Sequence, residues 1–171
     1  MADRLTGDRL RALQRPIKER YSEDPESALI TLEAEGTLDE GIACSVDTGK
    51  ALVRAGLHPG TGGDASLACS GDMLLQALAA CAGVTMRSVA TSMEIEVSGT
   101  IHAEGDLDWR GTLAVDKETP VGFKSIRMRF DLESDASDEQ LETLQRLTER
   151  YCVVLQTLAS SPELSVSLAR S

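Results

Sequence analysis

The sequence predicts an α+β fold in which antiparallel sheets pack around one central buried helix. Three observations carry that expectation. The run from Ser70 to Met93 is long, lacks proline and bears two adjacent apolar stripes at helical spacing. Stretches on either side of it alternate apolar and polar residues with period two, as strands with one wet face do. Late in the chain, Ser137-Asp138-Glu139-Gln140 reads as a capping box that opens a second helix.

Composition narrows the class. A chain of 171 residues suggests one domain with room for a short appendage, here residues 1–25 as a helical arm and 26–171 as the body. Aromatic residues make up only 3%, so Leu, Val, Ala and Met must fill the interior. The net charge of −11 excludes a nucleic-acid surface, which needs clustered Lys and Arg. No segment reads as a membrane span and MADRLTGDRL has no apolar signal core, so a cytoplasmic location without membrane contact is expected. In a reducing compartment Cys44, Cys69, Cys81 and Cys152 are not expected to form structural disulfides. They lack C-x-x-C spacing and are separated in sequence from His58 and His102, so no metal or other cofactor is expected.

In order along the chain, Leu10, Leu13, Ile17 and Tyr21 fall at helical intervals within Leu5 to Tyr21, among basic residues, with Pro16 in the middle. Two readings fit this basic amphipathic helix: a membrane-surface segment, or an arm whose charges face the acidic body or a partner subunit. The second is preferred, because the apolar stripe has no Trp or Phe. Residues Ala28 to Glu35 alternate as a strand, GTLDEG turns, and Ile42 to Val46 returns as a hairpin partner carrying Cys44 as a buried strand residue. Lys50 to Arg54 reads as a further short strand. The loop AGLHPGTGGDASLACSGD is rich in glycine and long for a compact domain, and long loops often carry function. It has neither a P-loop nor a dinucleotide fingerprint. Arg54, His58, Asp64 and Cys69 are the reactive types near or within it.

The long helix follows, with Ser70 as the expected N-cap and Asp72 at the positive end of the dipole. Small residues surround Cys81, namely Ala77, Ala79, Ala80, Ala82 and Gly83. On this helix alone the thiol is either a small buried hydrophobe or a group presented to a close-walled site. Beyond it a three-strand meander is expected: Ile95 to Ala103, a turn at EGDLD, Trp109 to Asp116, then Ile126 to Leu132. His102 falls on the polar face of its strand. The second helix carries Leu141, Leu144, Leu147 and Tyr151 on its apolar stripe. If the chain breaks after Tyr151, Cys152 heads a new helix, where the dipole lowers a thiol pKa. Leu164, Val166 and Leu168 alternate with serines in an expected last strand.

Taken together, the Gly-rich loop, the helix LLQALAACAGVTMRSVA and the late ERYCVVLQTL resemble the OsmC/Ohr family, the osmotically inducible protein C and organic hydroperoxide resistance proteins. The likeness runs from about Ala28 to Ala169. It implies an OsmC-like fold, an intertwined homodimer and a thiol-dependent peroxidase acting on organic hydroperoxides. In that scheme Cys81 matches the peroxidatic cysteine and Cys152 the resolving one, with an external dithiol as reductant and no cofactor. The family's peroxidase branch has a glutamate ten residues before the reactive cysteine, where this chain has Gly71 with Asp72 beside it. Its hairpin arginine is also missing from GTLDEG. Asp72 and Arg54 are therefore the supporting candidates, with Cys69 as an alternative resolving thiol. The other reading is a diverged binding module of the same fold for a small apolar, thiol or acyl ligand.

Overall fold

The computed structural model describes residues 6–23, 36–38, 43–47, 52–114 and 116–170. The expected strand at 28–35, much of the first hairpin turn and the burial of Cys44 lie outside what is described.

Helix α1 spans Gly7–Glu23 and runs through Pro16. Strands β1 (Gly36–Leu38), β2 (Ala43–Asp47) and β3 (Leu52–Gly56) form an antiparallel meander. The two-residue β4 (Ala68–Cys69) adds to β3 in parallel, giving one four-stranded sheet in the order β1-β2-β3-β4. The first half of GTLDEG is therefore strand and not turn, with Gly36 opposite Val46 and Leu38 opposite Cys44. Between β3 and β4 the glycine-rich loop makes a 3-10 turn at Pro59–Thr61.

Helix α2 covers Ser70–Ser92. Its N-cap is Cys69, not Ser70, and Cys69 makes no side-chain capping bond. The reason lies in β4, whose extended backbone holds Cys69 opposite Gly56 and forces the helix to begin directly after it. At the other end Ile95 N–H donates to the Ala90 carbonyl and Glu94 N–H to the Thr91 carbonyl, the paired bonds of a Schellman motif. Glu94 takes the left-handed conformation that this motif requires, at φ 58°. Arg11 of α1 closes the same corner, donating to the Ser92 carbonyl at 3.3 Å and to the Glu94 carboxylate at 2.7 Å. At this corner, a basic side chain of the arm does meet the acidic body.

After α2 come β5 (Ser98–Leu107), a short helix α3 (Trp109–Thr112) and β6 (Phe123–Glu133). β5 and β6 form a two-stranded antiparallel ribbon, so the expected three-strand meander is corrected. Glu104, Gly105 and Asp106 look like turn residues but remain in the ladder because partners across the ribbon hold them. The Phe123 ring occupies the space over Gly105, where a Cβ would come within 2.6 Å of it. The Asp106 carboxylate accepts from Ser125 at 2.6 Å and from Arg127 Nη2 at 3.0 Å. The chain turns two residues later, where the Asp108 carboxylate caps α3 by accepting from Arg110 N–H at 3.2 Å. His102 is exposed on the outer face of β5, 3.2 Å from Asp131.

Helices α4 (Asp138–Tyr151) and α5 (Val153–Ala159) complete the fold. Ser137 and Gln140 form the expected reciprocal capping box. α2 packs against β5, α4, α5 and α1. Met86, Ala90 and Leu144 share one buried cluster, and Leu78, Ala82 and Cys152 share the next. This pairing makes α2 and α4 run antiparallel. Complete burial of Leu78 and Leu144 is worth about 1.5–3 kcal/mol each. On α4 the expected stripe is displaced: Tyr151 is exposed, and Thr148 takes the buried position between Leu144 and Cys152.

α2 is long and apolar enough by composition to cross a membrane, contrary to the sequence expectation. Its buried stripe is instead packed on α4 and β5. The helix nevertheless has an open side in the single chain, with Val84 73% exposed. The final segment from Ser161 to Arg170 pairs with no described strand, and Leu164, Val166 and Leu168 are 79%, 98% and 98% exposed.

Candidate functional site

The site grows from a break in the last helical region. α4 ends at Tyr151, Cys152 takes extended backbone angles (φ −72°, ψ 106°), and α5 restarts at Val153. The break occurs without proline. Cys152 N–H donates back to the Thr148 carbonyl while its own carbonyl accepts from Gln156, so the residue closes one helix and opens the next. Its side chain is completely buried against Leu78 and Ala82 of α2. Cys81 belongs to that same cluster and is half-buried. The structure therefore brings Cys81 and Cys152 into one cluster.

Their environments push the two thiols in opposite directions. Burial opposes a thiolate at Cys81, but four groups outweigh it: the Val154 N–H, the Cys152 thiol, the Val153 N–H and the Thr85 hydroxyl. The Cys81 thiol is lowered as a result. Cys152 is raised, first by burial and then by serving as donor to Cys81, although the Leu155 N–H acts against this. The expectation for a cysteine at a helix start is thereby corrected. The N–H groups at the start of α5 act on both thiols, and at Cys152 burial and the neighbouring Cys81 outweigh them.

The other sequence candidates are placed elsewhere. Asp72 lies nine residues before Cys81 in the same helix, which separates the two by roughly 13 Å along the axis and half a turn around it. It lines an open groove of about 450 Å³ on the β5 side together with Gln76, His102 and Glu104. Cys69 is twelve residues before Cys81, roughly 18 Å along α2, whereas a disulfide needs Cα atoms within about 7 Å. Its sulfur is near Gly71 instead. Arg54 lies in β3 opposite Ser45. His58 stacks on Trp109 with ring centroids 5.0 Å apart, and its Nδ1 accepts from Gly60 N–H. The Asp64 carboxylate accepts from both the backbone and the hydroxyl of Ser66. His58 and Asp64 thus shape the loop. Among the described residues no three His, Cys, Asp or Glu side chains gather to hold a metal.

Sequence reasoning missed Thr85 and the two α5 amides as groups acting on Cys81. Thr85 was visible as the residue one turn along on the face of Cys81. The amides depended on a helix break that the sequence allowed without enforcing.

The fold and site define an α+β protein with two thiols in one cluster where one helix crosses the junction of two others. Residues 63–167 match the family model of OsmC-like proteins, and the chain belongs to that family. Several solved structures share the fold. An OsmC-like protein from Mycoplasma pneumoniae is 16% identical, with a TM-score of 0.66 over 77% of this chain and 89% of that one. An organic hydroperoxide resistance protein OsmC from Legionella pneumophila is 18% identical, with a TM-score of 0.58 over 78% and 92%. The organic hydroperoxide resistance protein OhrB of Bacillus subtilis is 15% identical, with a TM-score of 0.51 over 78% and 94%. No curated protein matches the chain in sequence.

Proposed function

We propose that this protein is a cytoplasmic, homodimeric thiol-dependent peroxidase of the oxidative stress response, reducing organic hydroperoxides through Cys81 and Cys152. The gathering of these two thiols in one cluster, together with their opposite pKa shifts, is the observation that carries the reading. Paired groups whose environments drive their pKa values apart divide the chemical roles between them. The Cys81 thiolate attacks the distal peroxide oxygen, the O–O bond breaks, and the alkoxide takes a proton to leave as an alcohol. Cys81 is then a sulfenic acid. The Cys152 sulfur attacks it, the S–S bond forms, and the hydroxyl leaves with the Cys152 proton as water. An external dithiol reduces the disulfide by exchange and is itself oxidised.

Around the pair lie Leu78, Ala82, Ile126, Met128, Phe130 and Leu155. Such walls favour an alkyl or lipid hydroperoxide over hydrogen peroxide, because an alkyl tail gains from leaving water. The dimer is supported by the exposed Val84 on α2 and by the unpaired apolar tail at Leu164, Val166 and Leu168.

The diverged binding module is the second reading, and the position of Asp72 favours it, since that carboxylate faces away from Cys81. One experiment separates the two. Reduced protein mixed with cumene hydroperoxide is expected to consume two thiols per peroxide, and peptide mapping is expected to recover a Cys81–Cys152 bridge. Peroxide loss no faster than that of Cys81→Ser would leave the binding module standing.

A further inference from the structure

We propose that the cavity between α1 and the C-terminal half of α2 is a carboxylate site, anchored by Arg87, which takes the acid end of a long-chain hydroperoxide whose peroxide group meets Cys81. The proposal rests on the reading of Cys81 as the reacting thiol and adds to it the kind of chain that the thiol serves.

The cavity measures about 730 Å³. Its floor is the side of α2 that continues from Cys81: Val84 and Ser88 stand one and two turns on, and both line it. Ser88 is roughly 10 Å from Cys81 along the helix axis, a span that a fatty-acyl chain crosses and a short alkyl group does not. The arm forms the opposite wall, where Gly7 is buried and a Cβ would come within 2.8 Å of the Thr91 carbonyl oxygen. Only glycine permits so close an approach of α1 to α2.

The charges in the lining select the end group. Asp8 and Glu94 line the cavity, but Arg11 holds both, at 2.9 and 2.7 Å. Glu96 lines it as well and is not without a partner. Arg87 is the charged group that remains. One of its guanidinium N–H groups donates to the Val97 carbonyl at 2.6 Å, and among the described residues the guanidinium makes no other hydrogen bond or ion pair. It is therefore pinned at one corner, with most of its planar fork open to a carboxylate. Leu10 and Ile95 give the adjoining chain apolar surface on which to leave water.

The test compares linoleic acid hydroperoxide with its methyl ester, which keeps the chain and the peroxide and removes the charge. For the unaltered protein kcat/KM is expected to be about tenfold higher for the acid, through KM, the effect of one hydrogen bond to a charged group. In Arg87→Gln the acid is expected to fall to the level of the ester, with Arg87→Lys between the two. The acid–ester comparison needs no variant, so it decides even if Arg87→Gln does not fold. A second arm titrates oleate, which carries no peroxide, into the same proteins by calorimetry; Arg87→Gln is expected to bind it about tenfold more weakly than the unaltered protein. Equal values for acid and ester, or oleate binding that Arg87→Gln leaves unchanged, overturn the proposal. Arg87-dependent oleate binding in a protein that consumes no hydroperoxide would end the peroxidase reading and leave the carboxylate site intact. Peroxide consumption that treats acid and ester alike, with no oleate bound, would do the reverse.

Discussion

The buried Cys152 and the half-buried Cys81 share one cluster where α2 passes the junction of α4 and α5. A shared proton environment of this kind is asymmetric. Amide, thiol and hydroxyl groups around Cys81 outweigh its burial and lower it, while at Cys152 burial and the neighbouring Cys81 outweigh the Leu155 and Val154 amides and raise it. Ordered reactivity follows: one thiol ionises first and the second stays protonated beside it.

The first prediction is a split titration. Cys81 is expected to react with iodoacetamide with a midpoint below the ordinary cysteine value of about 8.5, and Cys152 with one above it. The lowered Cys81 contributes stability that is present above the unfolded-state value and lost as pH falls through the folded one. The raised Cys152 contributes stability that is present below the unfolded-state value and lost as pH rises through the folded one. Site-resolved labelling between pH 5 and 10 checks the order. Equal midpoints, or Cys152 reacting first, would show that the donors do not act as described.

The second prediction concerns the outer face of the β5–β6 ribbon. Arg127 bonds Glu104 at 2.9 Å and also grips Asp106, whose carboxyl is held below the usual range first by that guanidinium and then by Ser125. Arg110 holds Asp108 down to about 2. Both carboxylates are lowered, so the stability they contribute is present above about pH 4 and drains away as pH falls through their folded values. Arg127→Met is expected to lower the urea midpoint at neutral pH and to flatten its decline below pH 4, because Asp106 then titrates closer to its unfolded value. Parallel curves for variant and unaltered protein would show that the network contributes nothing.

These elements also show what the sequence made legible. The α2 spacing and the Ser137–Gln140 box are local signals, and both appear as expected. The family resemblance rests on two cysteine-bearing motifs, and the family holds. The turn expected at Glu104–Asp108 failed because turn chemistry is also local, and the Phe123 ring and Arg127 override it from β6. The direction of the Cys152 shift was misread for a related reason. A dipole argument follows from sequence, but burial depends on what α2 brings up against the cap. Asp72 failed as a support for Cys81 through helix phase alone, since nine residues is half a turn out.

A third prediction follows from the tail. Leu164, Val166 and Leu168 alternate with polar residues in the final segment and are largely exposed. Apolar side chains in that pattern gain by covering, and in the proposed dimer a second copy covers them. Sedimentation equilibrium is expected to give twice the chain mass of 18.3 kDa for the full protein, and a lower dimer fraction after deletion of residues 161–171. A monomeric full-length protein would remove the dimer from the proposal.

The last prediction concerns Thr148, whose hydroxyl is fully buried on α4 without a hydrogen-bond partner. It lies between Leu144, which packs with Met86 and Ala90, and Cys152, which packs with Leu78 and Ala82, so its surroundings are aliphatic. A buried donor left unsatisfied costs about 1–3 kcal/mol, and an apolar isostere removes that cost without opening a cavity. Thr148→Val is therefore expected to stabilise the protein by about 1 kcal/mol or more, raising the thermal midpoint by a few degrees. The Cys81 alkylation profile discriminates between two roles for this hydroxyl. Raised stability with an unchanged profile marks Thr148 as a packing defect beside the thiols. Lowered stability would mean that the hydroxyl finds a partner in solution, and the argument from burial would fail.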